Sequence, residues 1–248
     1  MLFRSEKIRT ASFVRFISNK SMALAQSLCS FYISSKGFVL HLGVRMPDGE
    51  CATATGRASR RLVCPANMLP VKGHEFLLEA MAILRRRKVQ CELLLAGDGP
   101  LRKTLERTAS SSGVSDIVHF VGRLPHDELL LMYRKSEVGL VVLPSVDLGG
   151  GEHEGIPIGL VEAMAHGVPV VSTETGGIPE LLADGCGLLV PGGESTALAD
   201  AVARGITDDG LRRDLTVKGH QRAVEEYAVE KVVDELERRI ETAQACVD

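Results

Sequence analysis

From residue 61 onward, short apolar runs alternate with amphipathic stretches. RLVCPA, CELLLAG, IVHFVG, EVGLVVLPS, GVPVVST and GCGLLV are each too short for helices and rich in Val and Leu, so they read as strands. Between them, GHEFLLEAMAILRRR places Phe76, Leu77, Ala80, Met81 and Leu84 at helical spacing. DGPLRKTLERTASSSG, HDELLLMYRKS and GIPIGLVEAMAHG read as further helices, the first ending in its own terminator. A helical tail follows: ESTALADAVARGI, then residues 209–226, then VEKVVDELERRIETAQA. Strands that are wholly apolar must be covered on both faces. The predicted fold is therefore α/β, a Rossmann-like doubly wound parallel sheet with helices on each side.

The first 60 residues read differently. Residues 1–45 hold ASFVRFIS, a helix-like NKSMALAQSLCSF and a short GFVLHLG run. Residues 46–60 are rich in Gly, Ala, Thr and Arg, lack periodicity and read as a linker. The expected divisions are 1–45, the linker 46–60, an α/β domain over 61–225 and a terminal helix over 226–248.

Composition narrows the function. Hydrophobic residues make up 45% of the 248 and charged residues 25%, which is globular. A net charge of -3 lacks the basic excess that phosphate neutralisation needs, so no nucleic-acid partner is expected. No apolar run reaches the roughly 20 residues of a membrane span, and the first residues lack a signal-peptide core. The six cysteines are scattered without a CxxC pair, which suits reduced thiols and a cytoplasmic location. His74 and His153 are each followed by glutamate, but neither has a second His four residues on, so no metal site is expected.

Ligands of open parallel sheets bind beyond the carboxyl ends of the strands, so the following loops carry the chemistry. After the first of these strands, Asn67 and Lys72 precede a helix, and Lys72 can meet a phosphate as a point charge. A solvated lysine at a loop end is the plainer alternative. The AGDGP loop lacks phosphate-loop spacing and reads as a tight turn with Asp98 near the helix cap. Gly122 in VGRLP permits close approach to a flat ligand, or forms an ordinary turn. The loop from Pro144 to Gly155 contains Gly149, Gly150 and Gly151, which makes it the expected mobile loop. It delivers Glu154 to a helix on which Pro157 is the expected first residue. The amides of Ile156 and Ile158 near that start form an anion site.

Glu162 lies in the second turn of the same helix, among Ile156, Ile158, Leu160, Val161, Ala163, Met164 and Ala165. An unpaired carboxylate there is costly, which argues for a ligand. Eight residues of helix span about 12 Å. Glu154 and Glu162 could thus hold the two ends of a sugar–diphosphate–ribose ligand, with the helix start between them. Glu174-Thr175-Gly176-Gly177 after the fifth strand opens another helix entrance to close backbone approach.

The E-x7-E pattern of Glu154 and Glu162, followed by AMAHGVPVVST and GGIPEL, resembles the donor-binding domain of glycosyltransferase family 4. PVKGHEFLLEA, LAGDGPLRKTLE and HFVGRLPHDELLLMY extend the resemblance over residues 61 to about 240, in family order. It implies a GT-B fold, in which two Rossmann-like domains face each other across a cleft. It also implies a retaining transferase of the hexosyltransferase type that uses a nucleoside-diphosphate sugar. Polysaccharide or glycolipid biosynthesis is the implied context. Lys72 would contact the diphosphate and Glu154 the transferred sugar, these two being the catalytic pair. Gly155, Ile156 and Ile158 would lie nearby, Glu162 would bind the ribose, and Gly122 and Leu124 would meet the base. No metal or other cofactor is implied.

Two departures stand out. Where the family has an arginine five residues before its phosphate lysine, this chain has Asn67, a neutral donor, so weaker diphosphate binding is expected. Residues 1–45 resemble only the last strand–helix–strand of the N-terminal acceptor domain. A sugar or lipid-linked acceptor would then need a missing domain or a partner chain, and the isolated chain need not be active. Peripheral contact with a membrane stays open. The terminal helix would expose Val232, Val233, Leu236 and Ile240, and a sheet remnant would surround Phe13, Val14 and Phe16. The alternatives are a non-catalytic nucleotide-sugar binding subunit and, ranked lower, a GT-B epimerase or phosphorylase.

Overall fold

A computed structural model describes residues 11, 13–33, 36–48, 59–149 and 153–245. Most of the expected linker and the Gly150–Gly151–Glu152 part of the glycine loop lie outside them. Strand β1 (Val14–Phe16), helix α1 (Asn19–Ile33) and strand β2 (Gly37–Val39) form a small parallel unit. Among the described residues its core is Phe16 and Ala25, with Val14, Met22 and Val39 against them.

The rest is one six-stranded parallel sheet. Its strands are β3 (Arg61–Cys64), β4 (Glu92–Ala96), β5 (Val118–Gly122), β6 (Leu140–Leu143), β7 (Val170–Thr173) and β8 (Leu188–Val190). Their spatial order is β5-β4-β3-β6-β7-β8. The winding direction reverses between β3 and β6. That places a crevice beyond their carboxyl ends, the position where such sheets bind ligands.

Helices α2 (His74–Arg86), α3 (Arg102–Ser111), α4 (His126–Arg134), α5 (Ile158–Ala165), α6 (Ile178–Leu182) and α7 (Ser195–Thr207) connect the strands and flank the sheet. Two more, α8 (Asp209–Glu226) and α9 (Val229–Ala245), complete the chain. In β6 (LVVL) and β7 (VVST) every residue is buried, as parallel strands with helices on both faces must be. At the sheet edge β5 departs from that expectation: His119 and Val121, alternate residues on one face of the strand, are exposed.

Two local expectations are corrected. Pro157 is not the first helical residue. Its ψ of 117° is extended, and α5 starts at Ile158, with the Pro157 carbonyl accepting from the Leu160 amide at 3.0 Å. Asp98 does not cap α3, whose N-cap is Leu101; the Asp98 carboxylate turns back to accept from the Gly99 amide at 2.8 Å.

The two units are tied together. Backbone of Val44 bridges Ala228, and Asn19 gives Glu180 two hydrogen bonds of 2.8 and 2.7 Å. The His41 ring stacks on Tyr227 with centroids 4.6 Å apart. From α9, the Arg239 guanidinium lies 4.6 Å over the Phe38 ring. The expected apolar stripe on α9 is only partly exposed. Val233 and Ile240 face solvent and Leu236 is half-buried, but Val232 is buried, one turn beyond the Val44–Ala228 bridge. Among the described residues no helix is long and apolar enough to cross a membrane. Cys64, Cys91 and Cys186 are free thiols.

Candidate functional site

Three loops meet at the crevice. The loop after β3 ends in a 3-10 turn, Pro70–Lys72, closed by Gly73 at φ 62°. A Cβ on Gly73 would stand 1.9 Å from the Pro144 carbonyl oxygen, so only glycine lets this loop touch the β6 loop. The Val146 amide donates to Val71 at 2.9 Å and fixes the contact. After β7, Gly176 backs onto Glu154, and the Gly177 amide donates to the carbonyls of Glu154 (3.3 Å) and Gly155 (3.2 Å).

These contacts bring Lys72 and Glu154 together across 82 positions of sequence. The Lys72 ammonium donates to Glu154 Oε2, and both side chains are mostly buried, 20% and 15% exposed. The Ser145 hydroxyl also faces Glu154 Oε2, at 3.4 Å. Ser145 itself is buried, and its carbonyl accepts from Thr173 Oγ1. The pair is thus a shielded charge couple at the mouth of the switch point. An entering anion would find Lys72 held in place and Glu154 beside it.

His74 follows Lys72 by two residues, at the start of α2. It is 2% exposed, and neither ring nitrogen reaches a hydrogen-bond partner among the described residues. Burial pushes its pKa down to about 4, and the Lys72 charge adds to the effect. The Ala66 backbone beside it offsets this only in part. The imidazole is therefore neutral at pH 7 and does not compete with Lys72 for an anion.

Glu162 belongs to a second cluster. Its side chain is 18% exposed on the otherwise buried α5, and Oε1 accepts from His126 Nε2 at 2.7 Å. His126 is the first residue of α4 and follows Pro125. Upstream of it lie Gly122, at φ 73°, and Leu124, half-buried against the core. The Arg102 guanidinium approaches to 3.5 Å of where a Gly122 Cβ would be, while donating to the Phe120 carbonyl at 3.0 Å.

The expected site residues thus fall into two groups joined by α5: Lys72 and Glu154 at its entrance, and Glu162 in its second turn with the Gly122–Leu124 loop nearby in sequence to His126. Gly155, Ile156 and Ile158 connect them along the chain. Asn67 is exposed on the β3 loop, and its side chain makes no hydrogen bond among the described residues. Sequence reasoning did not find Ser145, Arg102 or His126. For His126 the one signal was its place directly after the VGRLP loop. Among the described residues, no group of three or more His, Cys, Asp or Glu side chains is placed to hold a metal ion.

Residues 56–222 match the model of the family described as Glycosyl transferases group 1. The chain belongs to this family. It is 34% identical over 168 residues to the GDP-mannose-dependent alpha-(1-6)-phosphatidylinositol monomannoside mannosyltransferase of Mycolicibacterium smegmatis, covering 67% of this chain and 44% of that protein. It is 36% identical over 145 residues to the amylovoran biosynthesis glycosyltransferase of Erwinia amylovora, covering 58% of this chain and 35% of that protein. The chain therefore spans less than half the length of these curated relatives. HepE of Anabaena, solved in complex with UDP, superposes with a TM-score of 0.79 over 97% of this chain and 69% of its own, at 22% identity. That likeness establishes the fold, the Rossmann-like arrangement of GT-B enzymes.

Proposed function

We propose that the chain is the donor-binding half of a retaining glycosyltransferase of the hexosyltransferase type. In this reading it moves a sugar from a nucleoside-diphosphate sugar to a sugar or lipid-linked acceptor, in polysaccharide or glycolipid synthesis. The observation that carries the proposal is the Lys72–Glu154 couple at the sheet's switch point. Lys72 would neutralise the diphosphate as the glycosidic bond breaks, and Glu154 would take hydroxyls of the transferred sugar. The first amides of α5 would add dipolar attraction to the phosphates. The leaving diphosphate would accept the acceptor's proton on the same face, which keeps the donor's anomeric configuration. Catalysis would then rest on positioning and charge stabilisation, without a metal. The activities for which the Mycolicibacterium and Erwinia relatives are named agree with this context.

A second reading draws on the coverage of those relatives: the chain binds the nucleotide sugar and depends on other polypeptide to hold the acceptor. Isothermal titration calorimetry of the 248-residue chain against UDP, GDP and ADP, with and without EDTA, tests the shared core of both. Binding of one nucleotide, unchanged by EDTA, is expected. No binding to any of them would overturn the donor-site reading. Sugar transfer by the chain alone would eliminate the second reading.

A further inference from the structure

We infer that His126 is a positioning residue for the ribose end of the donor site, holding Glu162 in the orientation that takes vicinal hydroxyls; the inference rests on the donor-binding reading. A carboxylate only accepts hydrogen bonds, so in the 2.7 Å contact His126 Nε2 carries the proton. This is the only side-chain partner of Glu162 among the described residues, while the Glu162 carbonyl accepts from the ring of His166 at 2.8 Å. His126 itself is 59% exposed and makes no other side-chain hydrogen bond among the described residues. Its ring therefore adds little to the core, and the consequence of the contact falls on Glu162.

The geometry suits that task. Glu162 rises from a helix whose other side chains are apolar and mostly buried, so the helix offers its carboxylate no polar partner. Unheld, the side chain would sample several rotamers, and ordering one of them would be charged against ligand binding. His126 comes from a different element, α4, placed by Pro125 at an extended ψ of 138°. The imidazole occupies Oε1, and Oε2 has no hydrogen-bond partner among the described residues. An arginine in the same place could take both oxygens in a fork and leave less for a ligand. A ribose needs what remains: acceptor positions fixed in direction before the two hydroxyls arrive.

The test separates ribose recognition from general damage to the site. The dissociation constant of the preferred nucleoside diphosphate among UDP, GDP and ADP is compared with that of its 2′,3′-dideoxy analogue. Inorganic pyrophosphate, which has no ribose, is titrated alongside. The wild-type chain should prefer the ribose form. His126→Ala should shrink that preference by about tenfold, with pyrophosphate affinity retained. His126→Gln, whose amide can still donate, should recover most of it. A purely structural role would weaken all three ligands together and leave the ratio intact. An unchanged ratio in His126→Ala overturns the inference alone. Equal binding of both nucleotides by the wild-type chain overturns the ribose role of Glu162, and the inference with it.

Discussion

A buried imidazole is a liability that acid exposes. His74 titrates near 6.5 in an unfolded chain and near 4 in the folded one, because burial disfavours its charged form. Between those values the unfolded state binds a proton that the folded state refuses. Its contribution is therefore intact above about pH 6.5 and is lost as pH falls toward 4. The loss between pH 7 and pH 4.5 is about 2 kcal/mol. His166 shifts in the same direction, also by burial. In His74→Leu the pH dependence of stability should flatten by about that amount, as measured by urea unfolding at the two pH values. An identical pH dependence in the variant would show that His74 is protonated without penalty in the fold. Glu162 makes the opposite case, a carboxylate that keeps a partner. Glu162→Gln should weaken nucleoside-diphosphate binding by about 1.5–3 kcal/mol through loss of charge-assisted hydrogen bonds. Unchanged affinity by calorimetry would remove its ribose role. Glu162 was legible in the sequence because it is the sole charge in an apolar helix. His126 was not, because the contact joins residues 36 positions apart and its exposed ring obeys no hydrophobic period.

At the scale of elements, apolar runs were enough to find all six strands of the large sheet, because buried parallel strands are continuous in hydrophobicity. They did not reveal that β5 is an edge, since strand order is decided by crossovers and not by local pattern. The start of α5 was misplaced by one residue for a similar reason. Proline tolerates both the cap and the first helical position, and the loop contacts at Glu154 and Gly177 decide between them. The most stringent of those contacts is at Gly176. Its φ is 58°, and an added Cβ would lie 1.5 Å from the Glu154 carbonyl oxygen, which cannot move without moving Glu154 itself. Gly176→Ala should therefore destabilise the fold by more than about 1 kcal/mol and weaken nucleotide binding as well. Gly113→Ala is the control, since Gly113 has a comparable φ of 68° but no heavy atom near its absent Cβ. Its thermal unfolding should shift by the conformational cost alone, with binding intact. Equal effects of the two substitutions on binding would separate Gly176 from the site.

At the scale of the molecule, two cores of unequal size share one chain. The six-stranded sheet is packed in a continuous core from Val44 to Tyr227, whereas the core described for the β1–α1–β2 unit centres on Phe16 and Ala25. A two-stranded sheet is marginal by itself. The ties at Asn19, His41 and Val44 add to its order. Glu180 is central to them, accepting both Asn19 bonds and lying 3.6 Å from His41 Nε2. These contacts are partly solvated, so together they contribute roughly 1 kcal/mol. Amide hydrogen exchange should show β1 and β2 opening well below the energy that releases β3, β6 and β7. In Glu180→Ala the amides of β1 and β2 should exchange about fivefold faster, while those of the large sheet keep their protection. If both sheets lost protection equally, the chain would unfold as one cooperative body. If neither changed, the order of the small unit would come instead from the Val44–Ala228 bridge and the Phe38–Arg239 contact on α9.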